Sequence, residues 1–202
     1  MVRGHPELFA PGATAGAAAG SSWSGLPIIF DEVFTGLYRL GQRSSASFLG
    51  VEADIAVNAK LLTGGLVPLC TTLASNEVFA AFSSPQKSDA LLHGHSYTAH
   101  AVGCQVAVDS LRTMKQLERS GAWEKYRRDW QPTGLPSVPR ARPEVWSVWS
   151  HGLVGQLSHA PAVEGLFALG TVLSIALKDT QGGGEFGSLI HYFVCLLAEN
   201  SR

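Results

Sequence analysis

Asp31 and Lys60 are the two ionisable residues whose settings point to chemistry. Each closes a short apolar run. Leu26-Pro27-Ile28-Ile29-Phe30 leads into Asp31, and Asp54-Ile55-Ala56-Val57-Asn58-Ala59 leads into Lys60. Such runs read as short buried strands. In α/β sheets, ligands bind outside the carboxyl ends of strands, which is where both residues would sit. An acid beside an amine in apolar surroundings suits a cofactor with a basic ring nitrogen and an aldehyde. Pyridoxal phosphate meets that description. Taken singly, Lys60 would be a solvated surface lysine and Asp31 a turn-forming residue at a strand end. On these residues alone, those readings would stand. Glu32, beside Asp31, is read as a structural partner rather than a second catalytic acid.

The elements that must position these residues follow from periodicity. A third strand is expected over residues 66–73, and Ser75 is placed to cap a helix with Glu77 in its first turn. Residues 98–119 carry apolar side chains at Cys104, Ala107, Val108, Leu111, Met114 and Leu117, a helical spacing that should end near Gly121. Residues 166–178 and 188–198 read as two further strands. Trp146 and Trp149 read as core or domain-interface side chains. Residues 1–25 are low in complexity and read as a linker. Residues 129–143 hold four of the ten prolines and read as a hinge. The expected organisation is α/β: a segment over 26–128, then a smaller α+β segment over 144–202.

Composition excludes several classes. The chain has 202 residues, 46% of them hydrophobic, so a core can form and disorder over the whole length is excluded. A net charge of −1 advertises neither nucleic acid nor an anionic membrane as partner. The three cysteines are far apart and odd in number, which favours a reducing, intracellular compartment over a disulfide framework. His93, His95 and His100 lack zinc spacing, so no metal is expected. No targeting signal or membrane-spanning segment is read in this chain. Charged residues make up only 15%, against roughly 25% in an average soluble domain. Such a surface is expected to be covered by other protein.

The block from Ile28 to Gly65 resembles the signature of the class III pyridoxal-phosphate-dependent aminotransferases of fold type I. The likeness rests on Asp31-Glu32-Val33, Gly36, Arg39, Gly41, Asp54-Ile55, Lys60 and the Gly64-Gly65 pair. A second block, Leu92-His93-Gly94-His95-Ser96-Tyr97, resembles the biotin-pathway branch of that family, in its fungal and plant form. The resemblance implies a fold-type-I transferase, with part of the large-domain sheet and an incomplete α+β small domain. It implies that Asp31 holds the pyridinium nitrogen protonated and that Val33 packs on the ring. Lys60 would bond to the cofactor aldehyde and later act as the base that moves the substrate proton. Ser96 would reach the cofactor phosphate from the other subunit of a homodimer.

The same likeness implies S-adenosylmethionine as amino donor, 8-amino-7-oxononanoate as acceptor and 7,8-diaminononanoate as product. A dethiobiotin synthetase domain on the same polypeptide, and a mitochondrial or cytoplasmic location, belong to the same expectation. The family's N-terminal phosphate turn is not found ahead of Asp31, and its substrate-carboxylate Arg is not found between Gly184 and Ser188. A C-terminal fragment is therefore expected. An ω-amino-acid or ornithine-type aminotransferase, and a truncated inactive remnant, stand as alternatives.

Overall fold

The computed structural model describes residues 26–131 and 144–178, and the backbone of 191–195. Two compact units divide the chain. Among the described residues, the first holds 26–37 and 43–116, and the second holds 38–42, 117–131, 144–178 and 191–195. Among the described residues no helix is long and apolar enough to cross a membrane.

The first unit is built on a three-stranded sheet ordered β1 (Ile29–Asp31), β2 (Ile55–Asn58), β3 (Thr71–Ala74). β1 runs parallel to β2, pairing Ile29 with Ile55, Phe30 with Ala56 and Asp31 with Val57. β3 returns antiparallel on the other side of β2. Asp54 sets this register. Its carboxylate accepts the Ile28 N–H at 2.7 Å, its own N–H donates to the Ile28 carbonyl at 3.0 Å, and its carbonyl accepts the Ser75 N–H at 2.8 Å. Helix α1 (Ala46–Leu49) ends on left-handed Gly50. Helix α2 (Asn76–Ala81) follows β3, capped by the Ser75 side chain on the Val78 N–H, with Glu77 in its first turn, as the sequence leads one to expect.

The expected strand over 66–73 forms only from Thr71. Ahead of it, Gly64 and Gly65 take positive φ, Pro68 has no N–H to donate, and the Thr63 hydroxyl donates to the Val67 carbonyl at 2.6 Å. These residues make a turn instead of a ladder.

Helix α3 (Ala101–Arg119) is the 19-residue helix foreseen from periodicity, and Gly121 follows it with φ +69°. Its buried stripe is narrower than its apolar one. Gly103 and Ala107 are buried and Met114 packs on the core, while Cys104, Val108 and Leu111 face solvent. The core of this unit is Leu37, Leu62 and Ala107, with Leu61, Leu69 and Met114 packed around them.

In the second unit, helices α4 (Glu124–Asp129) and α5 (His151–Ser158) accompany a second sheet, β4 (Val163–Leu169), β5 (Val172–Leu177) and β6 (His191–Cys195), antiparallel throughout. The one strand expected over 166–178 is two strands of a hairpin. Leu169 pairs with Val172 across the two-residue turn Gly170-Thr171, and Gly170 takes φ +56°. The alternation on either side continues through the turn, which hides it from a reading by periodicity. Val154, Leu166 and Leu173 form the core here, with Trp130 and Trp149 against it. Trp146 is buried, stacked on Tyr126 and tilted against Trp123.

Gly170 is also a close-approach position. A Cβ there would collide with the backbone of Arg39, Leu40 and Gly41, atoms that cannot swing aside. Gly170→Ala is expected to destabilise the chain by about 2 kcal/mol or more, from left-handed strain plus the backbone clash. Urea unfolding of both proteins checks this through the midpoint shift.

Candidate active site at the strand ends

Parallel pairing of β1 and β2 brings both carboxyl ends to one edge of the sheet. Asp31 is the last residue of β1 and pairs with Val57, and Lys60 follows three residues after that partner. The strand turns away directly after Asp31. Its Oδ1 accepts the Val33 N–H at 3.0 Å, an Asx turn that holds the carboxylate at the edge. Oδ2 has no hydrogen bond among the described residues and is open to a ligand. Val33 is half-buried beside it.

Glu32 has the opposite setting. Its side chain is buried, and its Oε1 accepts the Ser44 hydroxyl at 2.8 Å, the Ser45 N–H at 2.6 Å and the Ser45 hydroxyl. Its N–H continues the ladder to the Val57 carbonyl at 2.9 Å. Successive side chains on a strand point to opposite faces, so adjacent carboxylates meet different surroundings. Gly36 closes this turn. A Cβ there would lie 2.8 Å from Oδ1 of buried Asn58 and 3.0 Å from Glu32 Cβ, so any larger residue would push β2 and the turn apart.

Lys60 opens the one-turn 3-10 helix Lys60–Leu62 and takes φ +47°, a left-handed conformation that costs a non-glycine residue about 1–3 kcal/mol. The surroundings over-determine it. Its carbonyl accepts N–H groups of Thr63 at 3.2 Å and Gly64 at 3.0 Å, and Leu62 is buried against Leu37 and Ala107. The ammonium is exposed and makes no ion pair or hydrogen bond among the described residues. A strained lysine and a carboxylate at the same end of two paired strands are residue types suited to a ligand carrying both a carbonyl carbon and a basic nitrogen.

Ser96 lies in the loop ahead of α3. It is exposed, and no hydrogen bond joins it to Asp31 or Lys60. The loop is shaped by its neighbours: the His95 N–H donates to Thr98 Oγ1 at 2.9 Å, and His95 Nδ1 accepts the Tyr97 N–H at 3.1 Å. His100, which sequence reasoning left without a role, caps α3. Its Nδ1 accepts the Gly103 N–H at 3.2 Å while Nε2 meets the Pro68 carbonyl at 3.4 Å. That pairing assigns the proton to Nε2. Ser44, Ser45 and Asn58 were likewise missed, because side-chain hydroxyls and amides carry no periodic signal. Among the described residues, no group of three or more His, Cys, Asp or Glu could hold a metal ion. An open cleft of about 690 Å³ lies along β1–β3, lined by Phe30, Ala56, Leu73 and the 50–54 loop, and neither Asp31 nor Lys60 lines it.

Residues 10–148 match the family described as aminotransferase class III. Over 186 residues the chain is 64% identical to the bifunctional dethiobiotin synthetase/adenosylmethionine-8-amino-7-oxononanoate aminotransferase of Emericella nidulans, covering 91% of this chain and 23% of that protein. It is 42% identical to the mitochondrial bifunctional dethiobiotin synthetase/7,8-diamino-pelargonic acid aminotransferase of Oryza sativa, covering 81% and 18%. The chain thus spans about a fifth of the length of these two relatives. Among solved structures, the adenosylmethionine-8-amino-7-oxononanoate aminotransferase of Methanocaldococcus jannaschii superposes with a TM-score of 0.66 at 24% identity, covering 84% of this chain and 35% of that one.

The Glu32 network predicts a graded response. Glu32→Ala leaves the Ser44 and Ser45 donors unmet and is expected to lower stability by about 1–3 kcal/mol. Glu32→Gln keeps an acceptor and should lose less. Guanidinium unfolding of the two variants against the parent chain checks the order.

Proposed function

This chain belongs to the class III aminotransferase family, whose members are fold-type-I pyridoxal-phosphate enzymes, and from that premise we propose that it serves the amino-transfer step of biotin biosynthesis. In this reading the amino group passes from S-adenosylmethionine to 8-amino-7-oxononanoate and yields 7,8-diaminononanoate. The observation that carries it is the 64% identity to the Emericella protein over 91% of this chain.

The residues at the strand ends fit the cofactor. Bound there, pyridoxal phosphate supplies an electron sink for the bond pair released at the substrate carbon. Asp31 would present Oδ2 to the protonated ring nitrogen, its other oxygen being held by Val33 N–H. Val33 would pack against the ring. Lys60 would take the aldehyde, then release it to the donor amine and carry the proton at its Nζ. Lys60 is exposed, while Leu62 in the same turn is buried in the core. Ser96 would bind the phosphate across a homodimer.

Residues 26–128 are read as the C-terminal part of the large domain, 129–143 as the hinge and 144–202 as part of the small domain. A dethiobiotin synthetase domain on the same polypeptide is proposed because the Emericella and Oryza relatives carry that second activity in their names. A mitochondrial or cytoplasmic location belongs to the same reading, and the Oryza relative is described as mitochondrial.

The chain is incubated with pyridoxal phosphate, reduced with borohydride and mapped by peptide mass. The expected label sits on Lys60 and disappears in Lys60→Ala. Labelling spread over other lysines would overturn the site. Where transfer from S-adenosylmethionine is measured, Lys60→Ala should lower it by about 10²- to 10⁴-fold. Faster transfer from an ω-amino acid or ornithine than from S-adenosylmethionine would overturn the substrate assignment.

A further inference from the structure

We infer that Ser110, in the middle of α3, is a positioning residue for Lys60. This rests on reading Lys60 as the residue that takes the cofactor. A serine or threonine inside a helix ordinarily bonds back to its own helix or faces water. Thr113 does so, donating to the Asp109 carbonyl at 2.9 Å. Ser110 instead donates its hydroxyl to the Leu61 carbonyl at 2.8 Å, across 49 residues of sequence.

Leu61 follows Lys60 and is the centre of the Lys60–Leu62 turn. The Lys60 carbonyl is already met by Thr63 and Gly64 N–H groups, and the Ala59 carbonyl accepts the Leu62 N–H at 3.0 Å. The Leu61 carbonyl is the next along the chain, and Ser110 meets it. The aim of the hydroxyl is set by packing. Ala107 and Met114, one turn to either side on the same helix face, pack with Leu61 and Leu62 in one core. α3 therefore grips the turn twice, through apolar contact and through one directed hydrogen bond. The bond ties the Leu61–Leu62 peptide, one residue beyond Lys60, to α3, so the chain leaving Lys60 is not free to shift and follow a change away from φ +47°.

The test uses the full chain as wild type, Ser110→Ala, Ser110→Thr and the control Thr113→Ala. The first readout needs no cofactor: amide hydrogen exchange at Thr63 and Gly64, whose N–H groups bond to the Lys60 carbonyl. Ser110→Ala should speed that exchange by about threefold to tenfold, the loss expected for one hydrogen bond, and leave amides of β5 unchanged. The second readout is the rate of borohydride-trapped pyridoxal phosphate at Lys60, which should fall by a similar factor and recover in Ser110→Thr. Thr113→Ala should match wild type in both. Unchanged exchange at Thr63 and Gly64, or no rescue by Ser110→Thr, overturns the inference. A wild-type chain that traps no cofactor at Lys60 overturns the proposed function instead, and the exchange readout still decides whether Ser110 holds the turn.

Discussion

The parallel register of β1 on β2 is the constraint on which the candidate site depends. Asp54 sets it from the far edge of the sheet, because one side chain and its flanking peptide groups bond to Ile28 and Ser75 together. A slip of one residue would turn every side chain of β1 to the other face. Asp31 would then take the place of Glu32 among Ser44 and Ser45, and Glu32 would stand at the ligand edge. The choice of which carboxylate is free for chemistry is thus made at the opposite end of the strand.

Lys60 shows the complementary device. Its backbone is held in a conformation that an isolated chain would leave, and the restraint comes from the buried Leu62, the carbonyl bonds of the turn and the face of α3 that carries Ala107, Ser110 and Met114. Strain of this kind persists only where neighbours over-determine it. In the second unit Gly170 does the comparable work with no strain, since glycine accepts positive φ freely and its missing Cβ admits the backbone of Arg39–Gly41. The low content of charge has its counterpart on the surface of the first unit, where Leu66, Phe79 and Leu92 are exposed. Apolar surface occupies the place that charged side chains fill in an average soluble domain.

Much of this was legible from residue order alone. The strands ending near Asp31 and Lys60, the Ser75 cap and the long helix closing near Gly121 all follow from periodicity and capping, which are local properties. The failures were local ambiguities too. The hairpin at Gly170-Thr171 was hidden because alternation runs through the turn without a break. The run over 66–73 looked strand-like by hydropathy, but paired glycines and Pro68 broke its first half. Cys104, Val108 and Leu111 share the apolar character of Ala107 and Met114, yet only the latter side of α3 meets a core.

The sequence by itself determined the family, the two short apolar runs and the residue types at their ends. Those features survive in order along the chain, so spacing can report them. Only the tertiary structure decided that β1 and β2 are parallel neighbours, that Glu32 is locked by two serines while Asp31 accepts the Val33 N–H at the sheet edge, and that Ser110 reaches the turn of Lys60. Each of these joins groups far apart in the chain or separates groups that are adjacent. Hydrogen bonds of that kind depend on distance and angle in space, which residue order does not encode until the fold closes.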